Sequence, residues 1–144
     1  MAIVEWQRHV ESSELLTRTR NFALAAIRCS ARLPRKMETQ IIVRQLMRAA
    51  TSVGANYRAA CRAKSRPDFT AKMSIVEEEA DESLYWLDLL SELSPRPDDN
   101  LLSLKREAGE LVAIAVASKK TARSRASVSG NRQSSIVSRQ SANG

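Results

Sequence analysis

The fold is decided by residues 42–60, IVRQLMRAATSVGANYRAA. The apolar positions in this stretch repeat at steps of four and three residues, which places them on one side of an α-helix. These positions are Ile42, Leu46, Ala49, Val53, Tyr57 and Ala60. Gly54 interrupts the helix at a cost of about 1 kcal/mol relative to alanine. We therefore expect the backbone of a neighbouring helix to approach closely at Gly54.

Three further stretches show the same period, and prolines separate the four helices. We expect the first helix at about 12–32, capped by Ser12-Ser13-Glu14, and the second at about 37–63. The third begins near Pro67 with Ser65 or Asp68 as its N-cap, and the fourth follows the two-proline loop at 94–100. The apolar stripe of the first helix is Leu15, Phe22, Ala26, Cys29 and Leu33. That of the third helix is Phe69, Met73, Val76, Ala80, Leu84 and Leu87, and that of the fourth is Leu101, Leu104, Ala108, Leu111 and Ala115.

Four amphipathic helices with short loops predict an all-α fold, an up-down-up-down antiparallel four-helix bundle with a disordered C-terminal tail. Residues 1–11 form an N-terminal lead-in, residues 12–121 the bundle and residues 122–144 the tail. The tail is rich in Arg and Ser and has three sizeable apolar residues, so it cannot bury enough surface to offset the entropy lost on ordering.

Composition argues against a membrane protein and against an enzyme. No apolar run approaches the roughly 18 residues that span a bilayer, and the N-terminus lacks the basic and apolar regions of a signal peptide. We therefore expect a cytoplasmic protein of one domain. His9 is the single histidine, and no phosphate-binding glycine loop is present. The sequence predicts no catalytic residues, no cofactor and no small-molecule substrate.

Metal binding has little support from the residue types present. Cys29 and Cys61 lack CxxC spacing and lie in Ala-rich helical patterns, so we expect both to be buried, reduced thiols. The acidic run at 77–82 resembles a carboxylate metal site at first sight. Such sites in bundles need Glu-x-x-His pairs on facing helices, and no histidine lies in the four helices.

Charge is distributed unevenly along the chain. Residues 18–72 hold 13 Lys/Arg and two acids, whereas residues 77–110 hold 11 acids and three Lys/Arg. Five arginines of the second helix lie along one line opposite its apolar stripe, if the helix extends to the last of them. They are Arg44, Arg48, Arg58, Arg62 and Arg66. They form either a solvated face or a basic ridge that binds phosphates or the carboxylates of a neighbouring subunit. Arginine at all five positions favours the ridge, because its planar fork pairs with two oxygens.

The third helix carries large apolar residues on the side opposite its stripe. This outer side contains Ile75, Tyr85, Trp86, Leu89 and Leu93, interleaved with Glu78 and Glu82. A helix that is apolar on two sides is normally buried on two sides, and a single four-helix bundle buries only one. The pattern favours a subunit interface. The alternatives are scattered surface residues or cover from the N-terminal segment.

Two motifs resemble those of a known family. Residues 48–60, RAATSVGANYRAA, are similar to the RAxxSIxxNIAEG helix-two signature of bacterial four helix bundle proteins, also called 23S rRNA intervening-sequence proteins. Accessory proteins of diversity-generating retroelements are related to them. The matching residues are Arg48, Ala49, Ser52, Val53 and Asn56, with Ala59 and Ala60 in place of the usual Glu-Gly. In the third helix Glu79, Ala80, Asp81, Glu82, Trp86 and Leu87 resemble an EEADExxxWL pattern.

The resemblance implies a homopentamer with a non-enzymatic role and a basic surface for nucleic acid or a nucleoprotein. We therefore expect self-association, RNA or a nucleoprotein as partner, and phosphate contacts from the helix-two arginines. The competing hypothesis is a protein–protein interaction module, such as a reverse-transcriptase accessory protein, in which the arginines serve subunit assembly.

Overall fold

Four α-helices make up the described part of the chain: α1 (Ile3–Arg32), α2 (Met37–Cys61), α3 (Arg66–Leu93) and α4 (Asp99–Gln140). The computed structural model describes the backbone of residues 3–140 and the side chains of residues 12–133. Helix α2 packs between α1 and α3, α3 packs between α2 and α4, and α1 contacts α4 more sparsely. Because short loops join consecutive helices, neighbours run antiparallel, and the predicted up-down-up-down bundle is confirmed.

The predicted apolar stripes form one shared core. Leu46 and Val53 of α2, Met73 and Leu87 of α3 and all five stripe residues of α4 are buried. Five predicted members are half-buried and pack at the edge of this core: Leu15, Leu33, Ile42, Phe69 and Leu84. Burying one large aliphatic side chain stabilises a fold by about 1.5–3 kcal/mol. The helix period of the sequence therefore accounts for the core.

Side-chain caps fix where α3 and α4 begin. The backbone N–H of Asp68 donates to Ser65 Oγ over 3.1 Å, and Pro67 occupies the first turn of α3. The backbone N–H of Leu101 donates to Asp98 Oδ1 over 2.8 Å at the start of α4. The expected cap of α1 is wrong, because that helix begins at Ile3 and contains residues 12–14 in its interior.

The C-terminal segment also differs from the prediction. Helix α4 continues to Gln140, whereas we expected disorder from residue 122. No proline follows Pro97, and a helix already nucleated in the bundle gains one hydrogen bond for each added residue. The described side chains of residues 123–133 are all exposed. The prediction that this segment buries little surface thus agrees with the structure, although its backbone is helical.

The two cysteines lie in different environments. Cys29 is buried in the core, and burial raises the pKa of its thiol. Cys61 is exposed, so the expectation of a buried thiol is wrong at this position. The reason is that α2 ends at Cys61, two residues before the expected end, and the chain there turns toward solvent.

Candidate nucleic-acid and subunit interfaces

The arginines of α2 are exposed along the side that faces away from the core. Arg44, Arg48 and Arg58 lie within the helix, and Arg62 follows it as the C-cap residue. None of these four side chains lies within ion-pair distance of an acid among residues 12–133. Arg66, by contrast, is the first residue of α3. Its predicted place on the α2 line is therefore wrong, because Ser65 caps a new helix before the line reaches it.

Several cations of the other helices are paired with acids. Lys105 Nζ lies 2.6 Å from Asp88 Oδ1, and Lys119 pairs with Glu77, so two ion pairs join α3 to α4. Arg18 of α1 bridges to Glu107, at 2.5 Å, and to Glu110 on α4. These contacts pair four of the 11 acids of residues 77–110 within the subunit. The α2 arginines are left available to an external partner.

The outer side of α3 is exposed and partly apolar, as the sequence predicts. Ile75, Tyr85 and Leu93 are exposed, whereas Trp86 and Leu89 are half-buried. The indole of Trp86 packs against the edge of the core, and its Nε1 donates to Glu82 Oε1 over 3.1 Å. The expectation that Trp86 lies opposite the core is therefore wrong. Trp86 lies on the flank of α3, where its own core partly covers it.

Sequence reasoning missed the contribution of α2 to this surface. Met37 is 79% exposed and Ile41 is 57% exposed. Together with Arg44 and Arg48 they form a second line at steps of four, three and four residues, outside the core stripe. Ile41 and Trp86 are equally distant in sequence from the α2–α3 loop, so the antiparallel pairing places them at about the same level. A search for a second helical period in α2 would have found these residues.

We call this surface the outer α2–α3 face and define it by its exposed apolar residues, Met37, Ile41, Ile75, Tyr85 and Leu93. The rings of Tyr85 and Trp86 meet edge to face, with centroids 4.9 Å apart. Glu78 is exposed and Glu82 is half-buried along the same side of α3. The face thus combines large apolar side chains with carboxylates.

Some motif residues pack inside the bundle and others are exposed. Ala49 is buried against the core, and Asn56 Nδ2 donates to the backbone carbonyl of Ser52 over 2.8 Å within α2. Asp81 is exposed on α3. The motif therefore supplies local structure as well as surface groups.

Glu79 and Arg48 belong to facing helices and lie close enough to influence each other. Burial raises the pKa of the Glu79 carboxyl, and the neighbouring carboxylates of Glu82 and Glu78 raise it further. The positive charge of Arg48 acts against this shift. Arg48 is thus near the Glu79 carboxyl of its own subunit.

The described residues form neither a cluster of metal-binding side chains nor a membrane-spanning helix. No group of three or more His, Cys, Asp or Glu side chains among them could hold a metal ion. None of the described helices combines the length and the apolar character needed to cross a membrane.

The chain is similar to a known protein family and to solved structures. The family described as 23S rRNA-intervening sequence protein matches residues 11–117. The match covers most of the bundle and ends before residues 122–140 of α4, which we call the α4 extension. A crystal structure of a protein of unknown function from the S23 ribosomal protein family of Bacteroides thetaiotaomicron is 28% identical, with a TM-score of 0.66. The likeness covers 73% of this chain and 97% of that one. Among curated proteins, none matches the chain.

Proposed function

The chain belongs to the 23S rRNA-intervening sequence protein family, and from that premise we propose that it is a non-enzymatic, self-associating helical bundle that binds nucleic acid. The partner is RNA or a nucleoprotein, and the binding surface is the exposed side of α2 with Arg44, Arg48, Arg58 and Arg62. The oligomer that the family resemblance implies is a homopentamer.

The observation that carries this proposal is the row of exposed arginines along one side of α2 and at its C-cap, none of which forms an ion pair with a described acid. Arg18, Lys105 and Lys119 each contact a carboxylate of another helix. The four α2 arginines are exposed, and no described acid forms an ion pair with them. Guanidinium groups arranged along one helix suit the repeating phosphates of a nucleic acid, since each can donate two hydrogen bonds to phosphate oxygens.

Self-association is supported by the outer α2–α3 face. Its five apolar residues are between 40% and 79% exposed in the single chain. Large exposed apolar patches with aromatic residues are typical of protein interfaces. A second copy of the chain would cover Ile75, Tyr85 and Leu93 and bring Glu78 and Glu82 close to its own surface.

A second candidate function is a protein–protein accessory module whose arginines serve assembly. The observation that favours it is the approach of Arg48 to Glu79 within one subunit. If Glu78 and Glu82 of one subunit meet Arg44 and Arg58 of the next, the basic surface is consumed in the oligomer. Nucleic acid would then find no unpaired arginine on α2.

Binding of a mixed-sequence RNA over a range of salt concentrations tests the proposal. The variant replaces Arg44, Arg48, Arg58 and Arg62 with alanine. The matched control replaces four exposed arginines elsewhere, Arg20, Arg28, Arg35 and Arg96. Affinity for a nucleic acid falls as salt rises, so the slope of log K against log salt is negative. Loss of four phosphate contacts to a single strand should reduce the magnitude of this slope by about 3. Native mass spectrometry of both variants reports the oligomer.

Each outcome decides between the two functions. A weaker, less salt-dependent affinity in the α2 variant alone, with the oligomer intact, supports nucleic-acid binding. Dissociation of the oligomer supports the assembly role of the arginines. Equal RNA affinity of the wild-type protein and both variants would overturn the proposed binding surface.

A further inference from the structure

The end of the bundle that carries the α2–α3 loop contains an open cavity of about 880 Å³. Residues from all four helices line it, and its floor is apolar, with Leu15, Tyr57, Phe69 and Ile114. Phe69 is half-buried, so part of its ring faces the cavity. This volume lies within the range of about 300–1,000 Å³ that is typical of ligand pockets.

The rim of the cavity is basic. Lys64 and Arg66 come from the α2–α3 loop and the start of α3, and Arg125 comes from the α4 extension. All three are exposed, and none forms an ion pair with an acid in the described part of the chain. Glu14 is the acid among the lining residues, and Arg18, also in the lining, is bound to Glu107 and Glu110. The carboxylate of Asp68 lies close to Lys64 and accepts from its backbone N–H over 3.1 Å. An anion at this rim would therefore meet three cations that form no ion pair, with Glu14 and Asp68 as the nearby acids.

The positive charge continues beyond the cavity. Residues 111–144 contain six Lys/Arg and no acid. Arg132 follows Arg125 by seven residues, which is about two helical turns, so both lie on the same side of α4. A small anion would occupy only the rim, whereas a polyanion would also follow the α4 extension. The distribution of charge thus favours an extended ligand over a small one.

Building on the nucleic-acid binding proposed above, we infer that a single strand of nucleic acid lies across this end of the bundle. Its phosphates contact Lys64, Arg66 and Arg125, and one base enters the cavity against Phe69. Proteins that bind single strands combine a positively charged path for the backbone with aromatic side chains on which bases stack. The bases of a duplex are paired and stacked, so a duplex places only its phosphates on the rim.

The test separates the contribution of charge from that of the base. The charge variant is Lys64→Gln with Arg66→Gln and Arg125→Gln. Its matched control is Arg35→Gln with Lys36→Gln and Arg96→Gln, which removes the same charges from exposed positions in the loops at the opposite end of the bundle. The base variant is Phe69→Leu, and Phe69→Tyr retains the ring. The ligands are a single-stranded RNA, a single-stranded DNA, a duplex and inorganic polyphosphate, which has charge but no bases.

The charge variant should bind all these ligands more weakly than its control. For single strands the magnitude of its slope of log K against log salt should be smaller by about 2. Phe69→Leu should bind the single strands at least about fivefold more weakly, because fivefold corresponds to the lower end of the stacking energy of one base on an aromatic ring. Its affinity for polyphosphate should not change. Phe69→Tyr should bind as the wild-type protein does. Ultraviolet crosslinking of wild-type protein to a bromouridine-containing strand, mapped by mass spectrometry, should modify a peptide that lines the cavity even if the Phe69 variant fails to fold.

Contrary results have separate meanings. If the wild-type protein binds no nucleic acid, the proposed function itself fails. If RNA binding depends on the α2 arginines while the charge variant equals its control, the inference about this end fails alone. Equal losses of Phe69→Leu on single strands and polyphosphate, or crosslinks confined to other peptides, would overturn the entry of a base.

Discussion

Gly54 faces the backbone of Thr19 where α1 and α2 pack together. A Cβ atom placed on Gly54 would lie 3.4 Å from the carbonyl carbon and oxygen of Thr19 and from its Oγ1. This confirms the expected close approach of a neighbouring backbone. The distance is that of ordinary van der Waals contact, so the position admits one carbon atom but offers no room for a longer side chain.

Substitution of Gly54 should therefore give opposite results for small and large residues. Gly54→Ala should leave stability unchanged or raise it by up to about 1 kcal/mol, because alanine favours the helix. Gly54→Leu should lower stability by about 1–3 kcal/mol, since Thr19 is buried and α1 would have to move. Urea unfolding measures both effects. A large loss in Gly54→Ala would show that the two helices pack more tightly than the structure has them.

Glu79 should make stability depend on pH in the direction opposite to that of most carboxylates. Its pKa is raised in the folded state, chiefly by burial and then by Glu82, from an ordinary value of 4.5. The folded protein therefore holds this proton more tightly than the unfolded chain. Stability falls as pH rises from the unfolded pKa to the folded one, and the loss persists at higher pH.

Glu79→Gln removes this titration, so the variant should be more stable than the wild-type protein at neutral pH. The difference should shrink as the pH falls toward the ordinary carboxyl pKa. Unfolding free energies of both proteins across this pH range measure it. Asp81→Asn on the exposed side of the same helix provides the control for loss of a negative charge. A wild-type protein that is the more stable one at neutral pH would mean that attraction to Arg48 outweighs burial.

At the scale of the helices, periodicity and punctuation predicted the cores and most of the boundaries. The stripe of α4 and most stripe residues of α2 and α3 are buried as expected, and Ile42, Phe69 and Leu84 are half-buried at the edge of the core. Apolar residues at helical spacing are most stable when they pack into the shared core. Ser65 could be recognised as a cap because a proline and an aspartate follow it. The start of α1 could not be predicted from the sequence, because residues 1–11 have no apolar repeat strong enough to indicate a helix.

The candidate surfaces were less predictable than the core, because exposure depends on which neighbours cover each flank. Arginines opposite a stripe are exposed in any bundle, so Arg44, Arg48 and Arg58 were found from their spacing. Trp86 was misplaced because it lies between the stripe and the outer side. The basic rim formed by Lys64, Arg66 and Arg125 joins residues from distant parts of the sequence. Only the packing of α4 beside the α2–α3 loop brings them together.

The α4 extension should contribute helix without contributing stability. A chain that ends at Ala122 loses side chains that are exposed throughout residues 123–133, so its melting temperature should match that of the full chain. Its far-ultraviolet circular dichroism per molecule should fall, because the structure has helix as far as Gln140. A chain that ends at Ile114 loses buried Ala115 and the Lys119–Glu77 pair, and it should melt at a lower temperature. An unchanged dichroism signal in the first truncation would show that the extension is unfolded in solution.

At the scale of the whole molecule, exposed cations and exposed apolar residues meet along α2. Five of the 11 acids in α3 and α4 are paired with cations of the bundle, and the exposed cations without such a pair include those along α2 and those at the end that carries the α2–α3 loop. Exposed apolar residues lie on the outer α2–α3 face. Arg44 and Arg48 lie on the same line of α2 as Met37 and Ile41. Self-association and polyanion binding would therefore share this part of α2, whereas Lys64, Arg66 and Arg125 lie outside that line.

Self-association through the outer α2–α3 face can be tested with two isoleucines of nearly equal exposure. Ile75 on this face is 40% exposed, and Ile27 on α1 is 42% exposed. Ile75→Glu places a charge beside Glu78 and Glu82 in a contact that must exclude water, so it should shift the protein toward the monomer. Ile27→Glu adds the same charge outside the face and should leave the oligomer unchanged. Both changes are at exposed positions, so the melting temperature of the monomeric bundle should move little.

Native mass spectrometry and sedimentation at several protein concentrations measure the expected dissociation of Ile75→Glu. Ile75→Val is the further control, because it keeps an apolar contact and should retain the assembly. Should Ile75→Glu and Ile27→Glu dissociate the oligomer equally, the effect is one of net charge, and the interface lies elsewhere. A wild-type protein that remains monomeric at every concentration would mean that the exposed apolar residues of α2 and α3 serve a different partner.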